Sequence, residues 1–137
     1  NDFNSARTTT ITPSASGTYT ISCTLYNHGD NDPIVTKTKT VTVNTVPAIP
    51  VLTSATPAAI CLGSSADVKA TSSGNIIQWY TVNTGGINIG TSNSNANFLV
   101  TPSATTTYYA EAKIAATSCV STSRSSVLVT VSPNSAA

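Results

Sequence analysis

The segment TTYYAEAKI at residues 106–114 contains the clearest strand pattern of the chain. Tyr108, Ala110, Ala112 and Ile114 occupy every second position, with more polar residues between them. Side chains two residues apart in a β-strand lie on the same face of a sheet. The alternation therefore predicts a strand with one buried face, and the intervening side chains are expected in solvent.

The turn and strand at this point occur twice in the chain. VTPSATTTYY at residues 100–109 is preceded by ITPSASGTYT at residues 11–20. When the two copies are aligned, the alternate positions predicted to be buried in the second copy correspond to Tyr19, Ile21, Cys23 and Leu25 in the first. The repeated phrase is interpreted as the turn into a core strand, which occurs once in each of two modules.

Two prolines separate these modules in VPAIPV at residues 46–51. Proline cannot donate a backbone hydrogen bond and holds the chain extended, so residues 47–50 are predicted to be a linker. After it, five extended segments are separated by turn residues: ADVKA (66–70), IIQWY (76–80), ANFLVT (96–101), TTYYAEAKI (106–114) and SVLVTV (126–131). They predict an all-β chain with one complete sandwich at residues 51–132 and a tail at 133–137.

Residues 1–46 contain fewer strands than a sandwich needs. RTTTIT (7–12), GTYTISCTLY (17–26) and VTKTKTVTV (35–43) match the last three strands of the second module in order. Three strands cannot enclose a two-sheet core, so this part is predicted to be a partial sandwich. Either the polypeptide continues ahead of Asn1, or another copy supplies the missing strands by β-strand addition.

Two stretches resemble known families. SGTYTISCTLYNHGDNDPIVTKTKTVTVN at residues 16–44 resembles the second half of a polycystic-kidney-disease-type (PKD) domain. Residues 51–131 resemble the immunoglobulin-like repeats of secreted surface proteins in Bacteroidota, on the motifs ICLGSSADVKA, IIQWYTVNTGG, FLVTPSATTTYYAEA and CVSTSRSSVLVTV. The resemblance implies an immunoglobulin-like Greek-key β-sandwich and a stalk or adhesin repeat at the cell surface. It brings no catalytic residues.

The resemblance also implies a disulfide between Cys61 and Cys119. A disulfide that closes the loop between these two residues would stabilise the fold by about 4 kcal/mol in the chain-entropy account. Its formation requires an oxidising compartment. Two free thiols in a reducing compartment are the alternative. Cys23 occupies one of the alternate positions assigned to the buried face and is expected to be a small core side chain. The alternative is that it pairs with another cysteine in the missing half of its module.

Composition excludes several classes of function. Charged residues are only 8% of the chain and the net charge is +1, so no basic surface would attract nucleic acid. No apolar stretch is long enough to span a membrane. His28 is the single histidine and lies in the turn-like YNHGDNDP, where a solvated loop residue is expected. We predict no enzyme, because nucleophilic catalysis needs a base placed beside the nucleophile.

One weak metal signal remains in the GDND turn. The oxygen atoms of Asp30, Asn31 and Asp32 are of the type that calcium prefers. The alternative is a simple turn, since Asp and Asn favour such backbones. No other cofactor is predicted.

The aromatic residues offer a second functional hypothesis. Trp79 is predicted to fill the core between the sheets. Its neighbour Tyr80 and the tyrosine beside Tyr108, Tyr109, then point outward on strands expected to be adjacent. Exposed rings stack on sugar faces, so Tyr80 and Tyr109 are candidate carbohydrate contacts. The alternative is that tyrosine simply suits exposed strand positions.

The sequence therefore favours a non-catalytic stalk or spacer segment of a secreted or cell-surface adhesin-type protein, in contact with neighbouring repeats. Two alternatives stay open. One is a carbohydrate-binding accessory module of a secreted enzyme, and the other is an extracellular filament subunit completed by strand donation from its neighbour.

Overall fold

A computed structural model describes residues 9–26, 29, 32–72 and 75–133. The described residues form ten strands and no helix, so none of them forms a helix that could cross a membrane. The strands are β1 (Gly17–Tyr26), β2 (Pro33–Val43), β3 (Val51–Thr56), β4 (Ala59–Cys61), β5 (Ala66–Thr71), β6 (Ile76–Tyr80), β7 (Gly90–Asn93), β8 (Asn97–Val100), β9 (Thr106–Lys113) and β10 (Ser125–Ser132).

The chain divides into two compact units between Thr45 and Val46. The smaller unit contains the β1–β2 hairpin, and the larger unit contains the other eight strands in two sheets. One sheet has the order β3-β5-β8 and the other has the order β4-β10-β9-β6-β7. This strand order is that of an immunoglobulin-like Greek-key sandwich whose first strand is divided between the two sheets.

Strand β9 lies in the middle of the five-stranded sheet, between β10 and β6. Tyr108 is 5% exposed, and Ala110 and Ala112 are fully buried, while the residues between them are half-buried. The predicted alternation of this strand is therefore confirmed. Ile114, the last residue of the series, is half-buried just after the strand ends.

The core between the sheets is built around Trp79, whose exposure is zero. Its ring stacks on Phe98 from the facing sheet, with centroids 5.6 Å apart and planes 7° from parallel. The indole Nε1 donates a hydrogen bond to the Ser92 hydroxyl at 3.0 Å. This bond gives the single polar atom of the buried Trp79 side chain a partner. Gly90 pairs with Trp79 across β6 and β7, and a Cβ there would lie 2.5 Å from the Phe98 ring. The prediction that Trp79 fills the core is confirmed.

The larger unit is entered and left at opposite poles. Pro50 lies at the start of β10, where its carbonyl accepts a hydrogen bond from the Ser125 hydroxyl. The other end of β10, Ser132, pairs with Cys61 at the end of β4. The two ends of β10 are seven residues apart, which corresponds to about 23 Å of extended strand.

The proline segment belongs structurally to the larger unit. Pro47 and Pro50 are buried, and the carbonyl of Ala48 accepts a hydrogen bond of 3.3 Å from the Ser72 hydroxyl. The predicted linker at residues 47–50 therefore lies within the compact larger unit, because apolar proline rings pack against the sandwich more favourably than they remain in water.

The β1–β2 hairpin repeats the register of β9–β10. Tyr19 lies opposite Val41 in the first hairpin, and Tyr108 lies opposite Val127 in the second. The Tyr19 hydroxyl also donates to the carbonyl of Ala15 at 2.7 Å, an arrangement of the tyrosine-corner kind found at the start of this strand in immunoglobulin-like domains. The repeat recognised in the sequence is thus a repeat of local structure.

The predicted burial of the first copy is wrong. Tyr19 is half-buried, Cys23 is exposed, and Ile21 and Leu25 are 40% and 55% exposed. The sheet that contains β1 and β2 has two strands, and the described residues of the smaller unit supply no second sheet to cover this face. Of the segment predicted as a preceding strand at residues 7–12, the described residues, from Thr9 onward, are not in a strand.

Candidate functional site

The outer face of the five-stranded sheet carries the two tyrosines that the sequence singled out. Tyr80 on β6 and Tyr109 on β9 are direct cross-strand partners. Both side chains lie on the face away from Trp79, because neighbouring residues on a strand alternate between faces. The structure therefore brings this predicted pair together on one surface.

The expected exposure of Tyr80 is wrong. Its residue is only 7% exposed, and the Arg124 guanidinium carbon lies 3.3 Å from the centre of its ring. The Tyr80 hydroxyl donates to Glu111 Oε2 at 3.1 Å. Tyr109 is half-buried. Because Arg124 covers one face of the Tyr80 ring, that face is closed to a sugar.

Arg124 is the centre of a buried polar cluster on this outer face. Its Nε donates to Glu111 Oε1 at 3.2 Å, and its Nη1 donates to the carbonyls of Val82 at 2.9 Å and Gly85 at 2.8 Å. The side chains of Arg124 and Glu111 are 8% and 15% exposed. The planar guanidinium places its donors in a fixed fork and stacks on an aromatic ring, so one side chain fixes the loop after β6 against the sheet.

Sequence reasoning missed Arg124. The available signal was the scarcity of charged side chains, which make up 8% of the chain. Arg124 stands just before β10 and Glu111 lies within β9, so each charge in these strands could have been examined for a partner. Opposite charges on neighbouring strands are expected to pair, but their strand adjacency had to be known first.

A shallow cavity of about 220 Å³ lies beside this cluster. It is lined by Asn83, Thr84, Gly85, Glu111, Thr122, Ser123 and Arg124. The two charges in its wall are paired with one another, so the cavity offers a ligand mainly hydroxyl, amide and backbone groups. Such a lining favours weak polar contacts over general acid or base chemistry.

Burial raises the pKa of two of the tyrosines in this sheet, Tyr80 and Tyr108. The pKa of Tyr80 is raised, first by burial and then by the negative charge of Glu111, and nearby Arg124 opposes the shift. Burial alone raises the pKa of Tyr108. Both phenols are therefore neutral near pH 7 and act as hydrogen-bond donors and packing groups.

A second concavity, of about 380 Å³, lies on the outer face of the three-stranded sheet. Its lining is polar and contains no aromatic ring: Ser54, Thr56, Asp67, Lys69, Asn95 and Asn97. Asn97 donates to Asp67 across β8 and β5, with 3.1 Å between Nδ2 and Oδ2. The carboxylate is thus already engaged by a side chain of its own sheet.

The described residues contain no group of three His, Cys, Asp or Glu side chains that could hold a metal ion. Two of the three predicted calcium ligands, Asp30 and Asn31, lie outside the described residues, as does His28. Asp32 is described and is exposed. The calcium hypothesis for this turn stays a prediction.

The disulfide expected between Cys61 and Cys119 is not formed. Both are free thiols, Cys61 exposed and Cys119 half-buried. Cys61 pairs with Ser132 at the end of β10, whereas the carbonyl of Cys119 bonds to Ile114 beyond the end of β9, near the start of β10. A disulfide needs Cα atoms about 4.4–6.8 Å apart, and these cysteines lie at opposite poles of the sandwich.

Comparison with known proteins agrees with the observed topology. No curated protein matches the chain. The model of the family described as "Ig-like domain CHU_C associated" matches residues 47–133, which is the larger unit with its buried proline segment. The chain therefore belongs to the CHU_C-associated family of Ig-like domains.

Proposed function

We propose that this chain is a non-catalytic spacer segment of an extracellular, cell-surface protein of the adhesin type. The observation that carries the proposal is the path of the chain through the larger unit, which is entered beside Ser125 and left beside Cys61. Modules with ends at opposite poles add their lengths when they follow one another in a polypeptide. Family membership supports the same conclusion.

The entry to the larger unit supports a stiff spacer. Pro47 and Pro50 are buried, and hydrogen bonds from Ser72 and Ser125 hold the carbonyls of Ala48 and Pro50. An extended segment fixed at several points transmits position better than a free glycine-rich linker of the same length. The resemblance of residues 16–44 to half of a PKD-type domain adds a second module to the proposed array.

The exposed thiol of Cys61 allows a direct test of location. Intact producing cells are treated with a membrane-impermeant maleimide, and labelling of Cys61 is read by mass spectrometry of the isolated protein. We expect labelling without lysis, because the site lies at an exposed pole of the module. A C61S variant controls for labelling elsewhere. Labelling that appears only after the cells are lysed would contradict an extracellular location.

The reach of the spacer is tested separately from its location. Deleting residues 46–133 in frame from the parent protein should shorten its projection from the cell by about one module and leave ligand binding by the rest of the protein unchanged. Loss of binding with unchanged projection would contradict the spacer function and favour a binding module.

The carbohydrate-binding alternative has less support from the geometry. Arg124 covers the Tyr80 ring, so a sugar would have to stack on Tyr109 alone. A glycan array probed with the native chain and with Y109F and Y109A variants tests this alternative. Binding lost in Y109A and kept in Y109F would support it.

A second candidate function is favoured by the open face of the β1–β2 hairpin. Apolar side chains that have the buried parity are exposed there, and β1 and β2 pair only with each other among the described residues. Strands from another copy would cover this face and extend its edges, as expected of a filament subunit. Mass photometry over a range of concentrations tests the idea. Oligomers that an I21E substitution abolishes would support it, whereas a monomer at all concentrations would contradict it.

We propose separately that the oxygen atoms of Asp30, Asn31 and Asp32 bind calcium. A calcium titration that raises the melting temperature in the native chain and not in a D30N/D32N variant would support a site there.

A further inference from the structure

Among the described residues of the larger unit, the strand ladder that joins the entering and leaving segments is the one between β4 and β10, and a single hydrogen bond from Ser125 to Pro50 also links them. These strands are parallel, with Thr130, Val131 and Ser132 opposite Ala59, Ile60 and Cys61. The Thr130 amide donates to the carbonyl of Ala58 at 3.0 Å, and the Leu62 amide donates to the carbonyl of Ser132 at 3.1 Å. These two bonds flank the ladder at its two ends.

The direction of the two strands determines how tension would act on this ladder. The chain ahead of β4 leads back through β3 to the entry pole at Pro50, while β10 runs to the opposite pole at Ser132. Tension applied at the two ends therefore draws β4 and β10 in opposite directions along their own axes. The hydrogen bonds of a parallel ladder are evenly spaced, so sliding loads all of them together instead of opening them one at a time.

We propose that the β4–β10 ladder is the contact that resists tension along this module, so that the spacer withstands force as well as setting a distance. This proposal rests on the proposed spacer function, because a module in an extended surface protein is pulled by its ends. β3 is also drawn along its axis and is held to β5 over Val51–Thr56. Among the described strands, β4–β10 is the ladder that connects the entering and leaving segments, in addition to the single hydrogen bond between Ser125 and Pro50.

Leu62 provides a clean perturbation of this contact. It is the second residue of the turn Cys61–Ser64, in which the Ser64 amide bonds to the Cys61 carbonyl at 3.0 Å and Gly63 has a φ of 86°. These features describe a type II turn, in which proline is favoured at the second position. L62P therefore removes the Leu62 amide donor while the turn is kept. Leu62 is 48% exposed, so L62A is a matched control that loses the side chain and keeps the amide.

The test uses the full chain and two pulling directions in a single-molecule force experiment at constant force. In the first, handles are attached at the two chain ends, so the ladder is sheared. In the second, they are attached at Cys61 and the C-terminus. Because Cys61 pairs with Ser132, the ladder is then opened from its Ser132 end. Cys23 and Cys119 are replaced by serine in both proteins so that only one thiol accepts the handle.

We expect end-to-end loading to unfold the larger unit on the order of tenfold more slowly than loading from Cys61, because several bonds must break together. L62P should raise the end-to-end unfolding rate about five- to tenfold, the factor that one net hydrogen bond gives, and L62A should not. Equal rates in the two directions, or equal effects of L62P and L62A, would overturn the proposal.

These results are independent of the tests of the spacer function. If the force experiment shows equal unfolding rates, the module can still be surface-labelled and can still lengthen its parent protein. The chain would then be a spacer in which the β4–β10 ladder does not resist tension. A module that resists tension but is labelled only after lysis would instead refute the location and leave the mechanical result intact.

Discussion

Replacement of Arg124 by methionine is the sharpest test of the buried polar cluster. Methionine keeps an apolar stem of similar length and removes the charge and all donors. The change leaves Glu111 without its ion-pair partner and leaves the carbonyls of Val82 and Gly85 without theirs. It also uncovers the Tyr80 ring.

The magnitude follows from burial. Removing one partner of a buried ion pair costs about 3–5 kcal/mol, and the low end applies here because Glu111 keeps some solvent contact and the Tyr80 hydroxyl. Stacking of a cation on an aromatic ring contributes about 1–2 kcal/mol. These contributions overlap, so we expect a loss of about 3–4 kcal/mol in the free energy of unfolding. For a domain of this size that corresponds to a decrease in Tm of at least about 12 °C.

Urea denaturation and calorimetry of the full chain measure this loss, with two controls. R124K keeps the charge and loses the fork, so an intermediate loss is expected. A double-mutant cycle of R124M with E111Q isolates the ion pair from the rest of the cluster. A loss below about 1 kcal/mol for R124M would place the pair with exposed surface ion pairs and refute the reasoning.

Three further predictions concern titration, the core and the thiols. The pKa values of Tyr80 and Tyr108 are raised in the folded chain, so above pH 10 the unfolded chain releases these protons first and stability falls as pH rises, by up to about 1.4 kcal/mol per pH unit for each tyrosine. Urea midpoints from pH 8 to 11 should show this fall, and Phe variants should reduce it. S92A should cost about 1–3 kcal/mol in urea denaturation, because the buried Trp79 indole loses its acceptor, whereas S92T should keep it; equal losses would contradict this hydrogen bond. Alkylation of the denatured chain without reductant should modify all three cysteines by intact mass, and a single modified thiol would restore the predicted disulfide.

Much of the fold could be predicted from the sequence because strand parity is a local property. Tyr108, Ala110 and Ala112 are buried as their alternation predicts, and Trp79 fills the core. Backbone geometry assigns alternate side chains to opposite faces whatever the rest of the chain does. That Tyr80 and Tyr109 share one face of the sheet could also be predicted, because it depends on strand alternation and on the strand order common to such sandwiches.

The errors concern properties that parity does not determine. An outward-pointing side chain is exposed only if nothing folds over it, and here Arg124 covers Tyr80 from a position 44 residues later (124 − 80 = 44). The cysteine pairing failed for a related reason. Two residues that flank the core strands of one module can lie at either pole, and the sequence contains no local signal of which pole each occupies.

The two copies of the repeated hairpin show the difference between a strand's pattern and its environment. β1 and β9 have the same alternation, and both hairpins place a tyrosine opposite a valine, yet Tyr108 is buried and Ile21 is 40% exposed. The pattern determines which face can be buried, and a second sheet determines whether it is. A two-stranded hairpin alone is only marginally stable in water, so a sheet that covered one face of β1–β2 would be expected to stabilise it. Lys37 and Lys39 lie opposite Cys23 and Ile21 on this face, so a sheet that covered it, in the spacer array or in the completed filament subunit, would have to leave both ammonium groups in water or pair them.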